Sequence, residues 1–481
     1  MWKKKRYHVT LLLTSLIMAC SKDFLDIKPR ESTETERAIT DLAGLRAAVN
    51  GMYSLMQDEN YYGRTVPLLP DLRSDNGFIS IVNSNRYRNL DQYIVTANDA
   101  YTTDTWNQLY KVVANANMII RKGPHIGLLP VAQDSVAAAQ MIAEAYAVRG
   151  LAFFDLVRIF AQAYHYTADA SHLGIPLVTT IDVNVIQAPG RSTVKQTYDQ
   201  IICDLTTAIR RFTAAGGSAV ASGRMSAAAA NALLSRVLLY KEDWQGAANY
   251  ASAVISGNAY TLLPANKLVN DFKQTGNGET IFEIINTPVD NRSTDALSYL
   301  FSQAGYGDVL ATDDLWRIYP EKDIRLGFLA RDKRAGSGGE NPANTITKYK
   351  DITTFNESIK VIRLAELYLT RAEALAHLGN ETGAQADLQV IRNRANPGSG
   401  AITLTGKRLL KAILLERRRE LAFEGHRLFD LARTGQAFVK HLAGNQDLSI
   451  LLPNTKIILP IPQRELDANP NIRHQQNEGY N

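Results

Sequence analysis

Two sets of residues in this 481-residue chain have the types and placement to do chemistry: one thiol placed for modification, and loop clusters suited to gripping a polar ligand. Cys20 closes an apolar run, Val9 to Ala19, that follows the basic head Lys3, Lys4, Lys5 and Arg6. A thiol behind small residues at the end of such a run is placed for cleavage and acylation. Acyl chains at about 0.8 kcal/mol per buried CH2 would then hold the chain stably on a membrane. The run falls short of the roughly 20 apolar residues that span a bilayer. An ordinary cleaved signal that happens to end at a cysteine is the alternative.

The ligand-gripping set lies in two loop stretches. Sugars present flat C–H faces ringed by hydroxyls, so a site for them wants aromatic platforms beside amides, carboxylates and guanidiniums. Residues 71–93 offer Arg73, Asp75, Asn76, Arg86 and Tyr87; residues 286–307 offer Asn291, Tyr299 and Tyr306. These eight are the candidate ligand contacts, and each Tyr or Asn among them could instead be a turn or packing residue. Trp106, Trp244 and Trp316 fall on helical patterns and are expected in the core.

Covalent catalysis has no such signature. The chain lacks His-Glu-x-x-His, Gly-x-Ser-x-Gly, a phosphate-cradling glycine loop and a metal-spaced cysteine pair. Its eight histidines are scattered. No catalytic residue, metal or cofactor is expected. A glycosidase would need two carboxylates about 5 to 9.5 Å apart, and 48 acidic residues leave such a pair open. A glycoside hydrolase and a protein-interaction scaffold are therefore the alternative readings.

Composition narrows the partners. Basic and acidic residues number 53 and 48, a net +5; removing residues 1–19 leaves 49 against 48, a net +1. That near-neutral chain has no electrostatic footprint for nucleic acid. With Cys20 acylated, Cys203 has no partner and no disulfide framework exists.

The elements that must position these loops are helices. The spacing predicts helices over 39–57, 104–122, 136–161, 194–213, 226–242, 245–257, 359–378, 382–395 and 407–424, with Thr193 and Gln196 as a capping box. Short strands are expected at 175–178, 281–285 and 457–461. Loops are expected at 58–103, 162–192, 258–307 and 331–357. Two segments, Leu233 to Ala247 and Tyr368 to Ala384, share a helix, tight turn, helix pattern, with Ala247, Ala251, Ala384 and Ala386 small enough for close approach. The expected fold class is all-α: a divergent tetratricopeptide-like helix-pair scaffold with long loop insertions and a few short strands. Arg149, Arg236 and Arg371 sit inside the apolar stripes of their helices, where each needs a carboxylate or helix-end carbonyls, or else lines a ligand pocket. The run Glu416 to Leu431 carries charge into the core side of its helix through Arg417, Glu420 and Glu424, which reads as a buried ion-pair network.

This run, with Arg433-Thr434-Gly435 behind it, resembles the C-terminal signature of SusD/RagB-type outer-membrane lipoproteins. The lipoprotein-like start into Asp23-Phe24-Leu25-Asp26 agrees. So do the helix carrying Trp106, Tyr110, Asn115 and Asn117, the triplet Asp323-Ile324-Arg325, and the tail from Leu459-Pro460-Ile461-Pro462 to Gly479-Tyr480. The resemblance implies one helical domain over 36–481, with repeats at about 104–257 and 359–440, behind a signal (1–19) and a lipidated tether (20–35). It implies a lipid-anchored, surface-exposed outer-membrane protein. Such a protein binds an oligosaccharide, or a peptide as some relatives do, and acts as lid on a SusC-like TonB-dependent transporter without catalysis.

Overall fold

The computed structural model describes residues 39–126, 132–180, 188–217 and 221–480. The signal, Cys20 and the tether lie outside the described residues.

Helices dominate both ends of the sequence. The first group is α1 (Leu42–Gln57), α2 (Thr65–Leu72), α3 (Ala100–Lys122), α4 (Ala132–Phe160), α5 (Val194–Ala214), α6 (Ala227–Tyr240) and α7 (Trp244–Ser256). The second is α8 (Leu364–His377), α9 (Glu381–Ala395), α10 (Gly406–Leu421) and α11 (Arg427–Thr434). Their starts follow local chemistry. Thr193 and Gln196 form the reciprocal capping box at α5. Asp243 and Asn380 accept from Gly246 N and Gly383 N, so α7 and α9 open with the same cap in the two repeated segments. Helices α3 to α10 pack each against the next, and α7 lies directly on α8 although more than a hundred residues separate them in sequence. The repeat stack is thus continuous in space where it is interrupted in the chain. At the α4–α5 contact a Cβ on Gly150 would come within 3.1 Å of the Leu205 side chain, a tight approach that Leu205 would have to relieve by shifting. Ala247, Ala251 and Ala384 are buried at their helix contacts, whereas Ala386 is exposed, one position round the helix from the packed face.

The insertion between α7 and α8 carries five of the ten strands of the described residues. Strands β1 (Gly77–Ile79), β2 (Leu173–Pro176), β3 (Arg191–Thr193), β4 (Thr280–Ile284), β5 (Val309–Ala311), β6 (Leu329–Asp332), β7 (Ala343–Ile346), β8 (Ile359–Arg363), β9 (Phe438–Leu442) and β10 (Gln446–Ile450) form small antiparallel sheets. The largest runs β1-β5-β7-β6, with Gly77 opposite Ala311 and Leu310 opposite Thr345. It fixes the bases of the loops on either side of it.

Three expectations change. Residues 359–363 form a strand rather than the start of a helix: Ile359, Val361 and Ile362 are β-branched, and they pair with β4. Residues 457–461 are not a strand. Their extended backbone meets the end of α4, where Leu459 N donates to Ile159 O and Asn477 Nδ2 to Phe160 O, satisfying helix-end carbonyls. The stretch 58–103 contains α2, every residue of which is buried. Among the described residues no helix is long and apolar enough to cross a membrane.

Candidate functional site

The charged residues of the C-terminal signature form a buried ionic core. Arg325 binds Asp323 at 2.7 Å, Glu416 at 2.6 Å and Glu420 at 3.0 Å. Arg363, at the end of β8, reaches Glu420 at 3.1 Å and Glu424 at 2.7 Å and also pairs with Glu279. Arg394 joins Glu279 at 3.0 Å to Glu420 at 2.5 Å, and Lys348 pairs with Glu424. Burial alone would raise the Glu420 carboxyl; Arg394, Arg363 and Arg325 together hold it far below the carboxylate range. Arg417 pairs with Asp430 at 2.8 Å across the α10–α11 corner. The stripe arginines are paired too. Arg149 grips Asp204 at 2.8 and 2.5 Å, Arg236 grips Glu366 and the Val361 carbonyl, and Arg371 holds Asp387 at 2.7 Å. These three guanidiniums tie one helix of the stack to another.

That core also captures three of the candidate ligand residues. Asp75 is buried between Arg418 at 3.2 Å and Arg427 at 2.7 Å. Asn76 donates to Asp71 and accepts from Arg418 Nε. Arg73 is 1 % exposed, donates to the carbonyls of Ile457 and Lys456, and lies over the Tyr93 ring. Asp75 and Asn76 clamp the segment before β1 to the signature, and Arg73 clamps it to the 456–457 turn. Tyr87 is likewise interior, with its hydroxyl held by Arg64 Nε at 2.8 Å and Thr65 Oγ1 at 2.7 Å.

The other candidates converge on one open face. Tyr306 and Tyr299 meet edge to face, ring centres 4.7 Å apart, and Phe355 from a separate loop continues the row 6.1 Å beyond Tyr299. All three rings are half-buried. Arg86 lies 3.7 Å over the Tyr306 ring and donates to its hydroxyl at 2.9 Å. Tyr101, at the start of α3, stacks on Tyr87 at 4.0 Å, joining this helix to the same face. Asn291 is a staple rather than a free amide: its Nδ2 donates to the Thr287 carbonyl at 2.7 Å and reaches that of Thr354, and its Oδ1 accepts from Ser293 N. Arg64 extends the bracing from Tyr87 to Asp295 at 2.6 Å.

The backbone here is unusual. Asn85, Tyr87, Ser293 and Phe355 all have positive φ, a conformation that side chains other than glycine's disfavour and that recurs at ligand clamps. Hydrogen bonds hold it, as with Asn83 Oδ1 accepting from Asn85 N. Burial pushes the Asp308 carboxyl up while Ser84 pulls it down, and Ser84 is the residue that ties the 80–88 loop to it. Sequence reasoning missed Tyr101 and Phe355. The lone aromatic in the polar run Thr353-Thr354-Phe355-Asn356 was the available signal for the second. Trp106 is buried, Trp244 stacks on His377, and Trp316 packs under Arg331, so none of them joins the row. Among the described residues no group of three or more His, Cys, Asp or Glu is placed to hold a metal ion.

Comparison with known proteins gives consistent matches. A family model described as SusD family matches residues 341–480, and one described as starch-binding associating with outer membrane matches 23–239. SusD-like protein P2 of Formosa agariphila is 26 % identical, over 99 % of this chain and 100 % of its own. A crystal structure of a SusD superfamily protein from Bacteroides vulgatus, 28 % identical, superposes with a TM-score of 0.80 over 92 % of this chain and 99 % of that one. The starch-binding protein SusD of Bacteroides thetaiotaomicron is 34 % identical over 126 residues, 25 % of this chain and 21 % of its own.

Proposed function

Because the chain belongs to the SusD/RagB family, we propose that it is a glycan-capture protein of the outer membrane that binds oligosaccharide on the face built by Tyr101, Tyr299, Tyr306, Phe355 and Arg86. The observation that carries this reading is the row of three half-buried rings drawn from two separate loops, with a guanidinium fixed on one end. Half-buried rings offer apolar surface to the C–H faces of sugars, and an open face lets the ligand leave again. The family's starch-binding member supports a carbohydrate as ligand. In this reading the ligand is passed unchanged to a SusC-like TonB-dependent transporter, for which the protein serves as lid, and acylated Cys20 is the anchor.

Affinity electrophoresis against a panel of polysaccharides, with product analysis, tests the reading. Retention without shortening of the glycan, lost in Tyr299→Ala and Tyr306→Ala, is expected; release of shorter sugars overturns it. Cys20→Ala should move the protein out of the membrane fraction, and gentle solubilisation should bring a large β-barrel down with the wild type.

A further inference from the structure

At its Tyr306 end the aromatic row is bordered by cations that outnumber the one nearby carboxylate, Asp308. Arg86 meets only the hydroxyls of Ser84 and Tyr306, both at 2.9 Å, and has no carboxylate within 4.0 Å among the described residues. A guanidinium has five N–H donors, so this pairing leaves three of them for a ligand. Arg88, exposed two residues on, reaches only Asn85 Oδ1 at 3.4 Å. Beneath them Arg334 is buried against the carbonyls of Val82 and Tyr306. The nearby carboxylate, Asp308, is buried and engaged by Ser84 N and Oγ.

The cleft beyond Phe355 is balanced instead: Lys273 and Lys350, both exposed, line it with Asp351 and Glu357, and neither lysine has a carboxylate within 4.0 Å among the described residues. The two acids of that cleft turn back on the chain: Asp351 accepts from Thr353 N, Thr354 N and Asn356 N, and Glu357 from Lys350 N and Asp351 N. Asp295 and Asp290, on the loop between, face Arg64 and Arg292. Positive charge therefore exceeds negative at the Tyr306 end of the row, where Arg86, Arg88 and Arg334 surround the carboxylate of Asp308, whereas the cleft beyond Phe355 sets Asp351 and Glu357 against its two lysines.

Resting on the glycan-capture reading, we infer that the glycan this face takes is acidic. An anionic group on the sugar, a uronate carboxylate or a sulfate ester, lies against the free donors of Arg86 while its ring stacks on Tyr299. Arg86 is suited to this because stacking on Tyr306 holds the guanidinium plane fixed, and a fixed fork matches planar or tetrahedral oxyanions. Arg88, exposed two residues on, adds to the attraction for anionic units, an effect that added salt screens.

Calorimetry on the detergent-solubilised full chain tests this with three oligosaccharides of equal length: an oligogalacturonate, a sulfated galactan and a neutral galactan, each at low and high NaCl. One acidic arm should bind at least about tenfold tighter than the neutral one, identifying carboxylate or sulfate, and should weaken several-fold in high salt. Arg86→Met should abolish that preference and leave weak binding that Tyr299→Ala removes, with Arg86→Lys partly restoring the preference. Equal or tighter binding of the neutral glycan, insensitive to salt but lost in Tyr299→Ala, overturns the charge inference and leaves glycan capture standing. Binding of none of the three, by a wild type whose melting temperature shows it folded, overturns the inference; retention of other glycans in the electrophoresis panel then decides the broader reading separately.

Discussion

Replacing Glu420 with glutamine removes the carboxylate on which three buried guanidiniums converge. Arg325 keeps Asp323 and Glu416, and Arg363 keeps Glu279 and Glu424, but Arg394 is left sharing Glu279 with Arg363. The glutamine amide also turns N–H donors toward groups that only donate. Breaking a buried pair by deleting one partner costs about 3–5 kcal/mol. In a chain this long each kcal/mol moves the melting temperature by about 1–2 °C, so Glu420→Gln should melt about 3–10 °C below wild type by calorimetry. The Glu420→Gln/Arg394→Met double variant removes the orphaned cation as well and should recover part of that loss, since contacting pairs are non-additive. A drop below about 1 °C, or strictly additive single effects, would refute the idea that this cluster locks the last helices.

The remaining predictions are shorter. His426 is buried, and burial together with Arg236, Arg417, Arg158 and Arg363 holds its pKa well below 6.5. Below about pH 6.5 the unfolded chain therefore takes up a proton that the folded one refuses, and stability falls with pH by up to about 1.4 kcal/mol per unit. Subtracting the denaturation free energies of His426→Gln from those of wild type between pH 6.5 and 5 should isolate that slope; parallel curves would contradict it. The carboxyls of Glu424, Asp430 and Asp75 are held low by their guanidinium and ammonium partners against the opposing effect of burial. Their contribution is complete above about pH 4 and lost as pH falls through the depressed values, so acid unfolding should steepen there and flatten in Asp430→Asn. Thr193→Ala breaks the capping box at α5 and should cost about 1 kcal/mol in urea titration. Tyr87→Phe orphans Arg64 Nε and should lower stability by about 1–3 kcal/mol while sparing the Tyr299–Tyr306 row; if it abolished glycan retention in a folded protein, the row would not be the binding face.

The helical scaffold was legible because its signals are local. Helix periods and the Thr193–Gln196 box act within a few residues, and each recurs in the structure; the caps at Asp243 and Asn380, which the structure adds, are equally local. Buried charges announced themselves for a similar reason: a guanidinium inside an apolar stripe, as at Arg149 or Arg236, demands a partner wherever the chain finds one. Strand β8 was less legible, because its register depends on β4, far away in sequence.

The site divides along the same line. Residue type alone offered Arg73, Asp75, Asn76, Arg86 and Tyr87 as equals, and type cannot say which polar groups already have partners. The partners of Asp75 are Arg418 and Arg427, more than 340 residues on. Tertiary packing, including that of α2 against α11, brings them together. Tertiary structure therefore turned some candidates inward as clamps and left Arg86, Tyr299 and Tyr306 open, joined by Phe355. What the sequence determined by itself was the helical framework and the need for ionic pairing, since both follow from neighbours along the chain and the cost of burying charge. Which polar and aromatic groups stay free for a ligand was decided by contacts between distant segments.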